Sequence, residues 1–116
     1  MRDFTKYGVW KDGIDLAVKT YEITSNFPSE EKYGLINQMR RAAVSMPSNF
    51  AEGCSRSTEK DFKRFIEISI GSGFELKTQT IIASKLKFVD LEQSESFISD
   101  LDKLSKQLNT LRNKLK

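Results

Sequence analysis

Histidine is absent from the 116-residue sequence, which removes the commonest general base and metal ligand, together with the usual Ser/His and Cys/His nucleophile pairs. A single cysteine, Cys54, has no partner within the chain. An intramolecular disulfide is excluded, and a reducing, cytoplasmic setting is expected. The opening MRDFTKYGVW lacks the basic-then-apolar order of a signal peptide. No run approaches the roughly 18 apolar residues needed to cross a bilayer, so a soluble chain with no membrane partner is expected. Only two prolines and six glycines interrupt the sequence. Long helices fit that scarcity better than many short strands.

What the chain does contain is helical period. Hydrophobic residues make up 38% and charged residues 30%, the balance of helices with a narrow apolar stripe and broad solvated faces. Trp10, Ile14, Ala17, Val18 and Tyr21 share one face at 3.6 residues per turn, predicting a helix over residues 9–26 whose start is anchored by Trp10. Pro28 disfavours helical geometry at Phe27, and Ser29 is placed to cap a second helix whose first turn holds Glu30 and Glu31. Ile36, Met39, Ala43, Met46 and Phe50 recur at spacings of three and four, which predicts that helix over residues 30–52. Pro47 lies inside it without an amide hydrogen, so a kink is expected there. Gly53 suits a left-handed residue closing the helix.

Thr58 with Asp61 three positions later reads as a capping box opening a third helix, residues 58–87, about 45 Å long at 1.5 Å per residue. Its seam runs through Phe62, Phe65, Ile66, Ser69, Gly73 and Leu76. Gly71-Ser72-Gly73 interrupts good helix formers at a cost of about 1 kcal/mol per glycine, yet the period continues. Close approach, within the bundle or between subunits, accounts for these small residues. They lack the following lysine and the strand-to-helix context of a phosphate loop. Asp90 and Gln93 mark a fourth helix, residues 91–115, with Phe97, Leu101, Leu104, Leu108, Leu111 and Leu115 in heptad spacing. Four helices with short connections predict one all-α domain over residues 1–116, an antiparallel up-down-up-down four-helix bundle.

The net charge of +3 matters less than its distribution. Arg40 and Arg41 adjoin small residues and Pro47, while Arg56, Lys60, Lys63 and Arg64 crowd the start of the third helix, whose free amides form a partial anion site. If the two groups face the same side, one basic patch forms, suited to salt-sensitive contact with phosphates. Base stacking is not expected, because the aromatics of the third helix fit the core. The plain alternative is that these arginines are solvated or pair with neighbouring acids, and Glu59 and Asp61 weaken the cluster. Lys103, Lys106, Arg112, Lys114 and Lys116 make a second basic face, read chiefly as partners of the helix dipole. Glu52 and Glu75 are the only acids worth weighing for chemistry, and Cys54 reads as a small structural residue. No catalytic residue, metal ligand or cofactor is expected.

An ordered set of residues then carries a resemblance along nearly the whole chain: Phe27-Pro28 with Glu31, Tyr33-Gly34-Leu35, Gln38 with Arg40-Arg41-Ala42-Ala43, Ser45 through Gly53, Phe62 and Phe65, and Gly71-Ser72 with Glu75-Leu76. In these the chain resembles the four-helix-bundle proteins encoded in intervening sequences of bacterial 23S ribosomal RNA genes, a family that also includes the accessory variability determinant of diversity-generating retroelements. Met46 and Phe50 stand where the family favours isoleucine-like residues, and both keep the apolar character. The resemblance implies a ring-shaped homopentamer with a basic surface for nucleic acid or a reverse transcriptase, and no established catalytic activity. The expected function is an oligomeric RNA-binding or ribosome-associated module. The alternative is a protein–protein assembly adaptor, for example a reverse transcriptase accessory subunit.

Overall fold

The computed structural model describes residues 1–116. Four helices, α1 (Gly8–Thr24), α2 (Leu35–Cys54), α3 (Glu59–Lys85) and α4 (Leu91–Asn113), form an antiparallel up-down-up-down bundle without strands. Consecutive helices pack together and α1 closes against α4, whereas α2 and α4 make no close backbone approach and so occupy a diagonal. The 43 Å long axis is set by α3, whose 27 residues span about 40 Å.

The heptad seams of α2, α3 and α4 meet in the centre. Ile36, Met39, Ala43, Met46 and Phe50 are buried, and so are Phe62, Phe65, Ile66 and Leu76 of α3 and the α4 residues from Phe97 to Leu108 at seam positions. They belong, Phe65 apart, to one cluster of 19 buried apolar residues. Each large side chain withdrawn from water in this way stabilises the fold by about 1.5–3 kcal/mol.

Helix α1 departs from expectation. Its buried residues are Gly13, Leu16, Thr20, Ile23 and Thr24, whereas Ile14, Val18 and Tyr21 of the expected inner face are exposed, Val18 by 53%. The threonines can lie inside because their hydroxyls are satisfied by their own helix: Thr20 Oγ1 donates to the Leu16 carbonyl at 2.8 Å, and Thr24 Oγ1 to the Thr20 carbonyl at 2.7 Å. Gly13 lets α1 settle against the Pro47 ring, where an added Cβ would stand 3.1 Å from Pro47 Cβ.

Three helix ends also differ from the sequence reading. Ser29 does not cap α2. It begins a short 3-10 turn, Ser29–Glu31, and α2 starts only at Leu35. The first-turn amide of Leu35 is instead satisfied by Glu31, whose Oε1 accepts from it at 3.2 Å. The helix runs unbroken past Pro47 to Cys54. Gly53 is helical rather than left-handed, since no glycine has positive φ. Its role is space: a Cβ there would lie 2.7 Å from Phe65 Cβ. The left-handed position falls at Lys87 (φ 64°), which follows α3. There Phe88 N donates to the Ala83 carbonyl and Lys87 N to the Ser84 carbonyl, closing the helix in a Schellman arrangement. Thr58 and Asp90 cap α3 and α4, accepting from the amides of Asp61 and Gln93, but neither Asp61 nor Gln93 returns the bond that would complete the expected capping box.

Candidate nucleic-acid interface

One end of the bundle gathers the turn between α2 and α3 with the N-terminal segment, residues 1–7. That segment is a strap. The Arg2 amide donates to the Cys54 carbonyl at 3.0 Å, Asp3 caps the 3-10 turn Phe4–Lys6, and the rings of Phe4 and Tyr7 pack on Trp10 and Phe50 at centroid distances of 5.1 Å. Beneath it, Phe62 and Phe65 point from successive turns of α3 into the core, 1% and 6% exposed. Their spacing of three residues follows from the helical period that makes them neighbours.

Guanidinium groups cover the outer side of these rings. Arg2 lies 4.1 Å from the Phe62 centroid, while Arg56 and Arg64 lie 4.8 and 4.7 Å from that of Phe65. Arg56 also pairs with Glu52 at 3.2 Å, and its Nε is buried without a partner. Lys60 is exposed and Lys63 half-buried on the same first turns of α3. Arg56, Lys60, Lys63 and Arg64 are therefore brought together, as the sequence suggested, and Arg2 joins them without having been singled out. Burial raises the pKa of the nearby Cys54 thiol above its ordinary value, against the opposing influence of Arg2.

Arg40 and Arg41 stand apart from that group. From Arg41 to the end of α2 is about 20 Å along the helix axis at 1.5 Å per residue, so the two groups do not merge into one patch. Arg40 is half-buried and fixed: Nε donates to Thr24 Oγ1 at 2.9 Å, and the guanidinium stacks 4.4 Å from the Tyr21 centroid. Arg41 is exposed beside Val44 and Ser48 in a shallow groove that Tyr21 shares.

The small residues of α3 divide by direction. Gly73 is buried, and a Cβ there would meet Met46 Cε at 2.8 Å and Ser105 Oγ at 3.1 Å, so it serves close packing inside the bundle. Ser72 shares a 2.8 Å hydrogen bond with Ser45 of α2. Gly71 is exposed, with nothing within 4 Å of an added Cβ. Glu75 is exposed. In the C-terminal basic group, Arg112 pairs with Glu67 at 3.1 Å.

Apolar side chains also remain outside. Ile14, Val18 and Tyr21 line the α1 flank next to α2, where Val44 continues the stripe. On the opposite side, Phe74 is 67% exposed beside Ile70 and α4, and Ile81 lies near Leu91 and Ile98. The aromatics of α3 are thus not all committed to the core. Phe74 falls off the 62, 66, 69, 73, 76 seam, a signal that was present in the spacing. The α1–α4 side is polar and carries the Lys19–Asp100 pair at 2.7 Å. No helix is long and apolar enough to cross a membrane.

Comparison with known proteins agrees with this architecture. The sequence pattern described as 23S rRNA-intervening sequence protein matches residues 5–110. Among solved structures, a protein with unknown function from the S23 ribosomal protein family of Bacteroides thetaiotaomicron VPI-5482 superposes with a TM-score of 0.81 at 20% identity, covering 90% of this chain and 97% of that one. That similarity shows the fold. No curated protein matches.

Proposed function

Because the chain belongs to the 23S rRNA-intervening sequence protein family, we propose that it is a non-enzymatic binding protein that associates with copies of itself and contacts RNA phosphates, those of ribosomal RNA first, through its free cations. The observation that carries this reading is a cluster of cations with few carboxylate partners at the start of α3. Lys60, Lys63 and Arg64 hold no carboxylate within 4.0 Å and Arg56 beside them holds only Glu52; Arg40 and Arg41 on α2, and Lys103, Lys106, Lys114 and Lys116 toward the C-terminus, are unpaired as well. Unpaired cations add to the long-range field and release counterions when phosphates approach. The absence of histidine and the engagement of Glu52 by Arg56 support a role without catalysis. The lone buried Cys54 fits a reducing, cytoplasmic setting.

Binding of the nuclease-treated protein to structured ribosomal RNA fragments, followed across a salt series, tests the proposal. A log-linear loss of affinity with salt is expected, and combined charge reversal at Arg41, Lys60, Lys63 and Arg64 should abolish binding. Undiminished binding by that variant would remove the surface assignment. No binding at low salt would remove the RNA reading.

The apolar stripes on opposite sides of the bundle favour self-association and keep the adaptor reading in play. Two different faces meeting head to tail generate a ring when the rotation closes, which accommodates the homopentamer that the family resemblance implies. Light scattering tests it. Val18→Asp and Phe74→Asp variants are each expected to be monomeric, and their mixture to form dimers. A wild-type monomer at micromolar concentration would overturn self-association, and recovery of a reverse transcriptase after nuclease treatment would favour the adaptor.

A further inference from the structure

The N-terminal strap has a second consequence besides covering Phe50 and Phe62. It delivers a guanidinium to a place where two others already stand. Arg56 and Arg64 share the Phe65 ring at 4.8 and 4.7 Å, so their charges are no more than about 10 Å apart, one Debye length in 0.1 M salt. Arg2, on the adjacent Phe62, extends the row. Only Glu52 answers these three charges with an ion pair, and it reaches Arg56 alone. Like charges held this close repel one another, and an anion between them relieves the repulsion.

We infer that Arg2, Arg56 and Arg64 form a cradle for a phosphodiester group of RNA, with Arg2 supplied by the strap. This rests on the RNA-binding reading and names the part of the surface that grips. The planar fork of arginine matches two phosphate oxygens at once, which a lysine cannot do. Lying over a phenyl ring holds each guanidinium in place before the ligand arrives; Arg2 and Arg64 can present the fork, while Arg56, whose Nε is buried and whose Nη2 holds Glu52, contributes its charge. That preorganisation lowers the ordering cost of binding. The strap fixes Arg2 in the same sense through the hydrogen bond from its amide to the Cys54 carbonyl and the packing of Phe4 and Tyr7.

The surroundings set the size of the ligand. Asp3, Glu52, Glu59 and Asp61 flank the three arginines and repel a polyanion laid broadly over this end. The cradle therefore takes one or two phosphates, with Lys60 and Lys63 on the same turns of α3 adding to the local field and Arg41 acting at a distance.

The test uses the full chain with an RNA hairpin of about one helical turn, at several salt concentrations, comparing wild type with Arg2→Gln, Arg2→Lys and Arg64→Gln, and with Lys116→Gln as a control. Loss of about one phosphate contact lowers the slope of log affinity against log salt by about 0.9. Arg2→Gln and Arg64→Gln are each expected to weaken binding at least fivefold and to reduce the slope by about that amount. Arg2→Lys should restore the slope but only part of the affinity, because charge returns without the fork. Lys116→Gln should bind as wild type does. Urea midpoints of the variants separate loss of the strap contact from loss of fold.

If wild type binds the hairpin and neither Arg2→Gln nor Arg64→Gln changes affinity or slope, the cradle is wrong and the RNA reading stands. If wild type does not bind, the RNA reading fails, and inorganic phosphate then decides the cradle. Titrated against the arginine Nε–H resonances, it should shift those of Arg2 and Arg64 together. Unmoved resonances would overturn the site.

Discussion

Replacing Gly53 by alanine isolates how tightly the end of α2 is wedged against α3. The new methyl would stand 2.7 Å from Phe65 Cβ, 3.2 Å from the Phe62 ring and 3.4 Å from the Phe62 carbonyl oxygen. Carbon atoms pack favourably at about 3.5–4.0 Å, so the two helices must separate by close to 1 Å or the Phe65 side chain must shift from its root. The clashing atom belongs to the base of a buried ring and cannot swing away as a chain terminus can. Overpacking of this kind costs about 1–3 kcal/mol, offset by about 1 kcal/mol of improved helix propensity. Gly71→Ala supplies the same propensity gain with nothing within 4 Å of the methyl, and should stabilise by about 1 kcal/mol. The two variants are expected to differ by about 2 kcal/mol. For a domain of this size that is about 8 °C in Tm. Thermal and urea unfolding at one dilute protein concentration would measure it, since assembly makes Tm depend on concentration. Gly53→Ala as stable as Gly71→Ala would refute the wedge.

Lys87→Gly should raise stability by about 0.5–1 kcal/mol, because a side chain in the left-handed region is replaced by the residue that tolerates it, and urea unfolding would show it. Cys54 should resist alkylation in the native state and react as the protein unfolds, the buried thiol being inaccessible. Since burial raises its pKa, the fold favours the neutral thiol: the contribution is whole below the ordinary thiol value near 8.5 and is lost as pH rises through the raised value. Unfolding midpoints should accordingly fall on the alkaline side, less steeply in Cys54→Ala. Asp100→Asn should cost under about 1 kcal/mol, fading in high salt, because the Lys19–Asp100 pair is exposed. Lys19 is held above its ordinary pKa first by the hydrogen bond to Asp100, so that small term is present at neutral pH and disappears as pH climbs past the normal lysine range.

Three of the four helices could be read because their inward residues are apolar. Met39, Met46 and Phe50, then Phe62, Ile66 and Leu76, then Leu101, Leu104 and Leu108 announce their seams by side-chain chemistry alone. Helix α1 carries two stripes of equal period. The apolar one, Ile14, Val18 and Tyr21, lies outside, and the buried one is disguised by Gly13, Thr20 and Thr24. A hydroxyl that bonds its own helix carbonyl is as compatible with the interior as a methyl, but hydrophobicity does not register it. The start of α2 was hidden for a related reason. Glu31 acts as a cap four residues ahead of the amide it satisfies, across a turn whose shape short-range propensity does not specify.

The candidate interface was legible only where its residues are close in sequence. Arg56, Lys60, Lys63 and Arg64 lie within about two helical turns of one another, and adjacency alone joined them. Whether Arg40 and Arg41 belong with them depends on position along α2, and helix length separates them. Arg2 depends on a backbone hydrogen bond to Cys54, 52 positions away in the sequence, which only the tertiary fold brings close. Effective charge is likewise a tertiary property. Glu67, Asp100 and Asp102 pair with Arg112, Lys19 and Lys77 across helices, whereas Lys60, Lys63 and Arg64 at the start of α3 and Lys103, Lys106, Lys114 and Lys116 toward the C-terminus hold no carboxylate. Composition counts these charges equally. Packing decides which of them remain available to a phosphate.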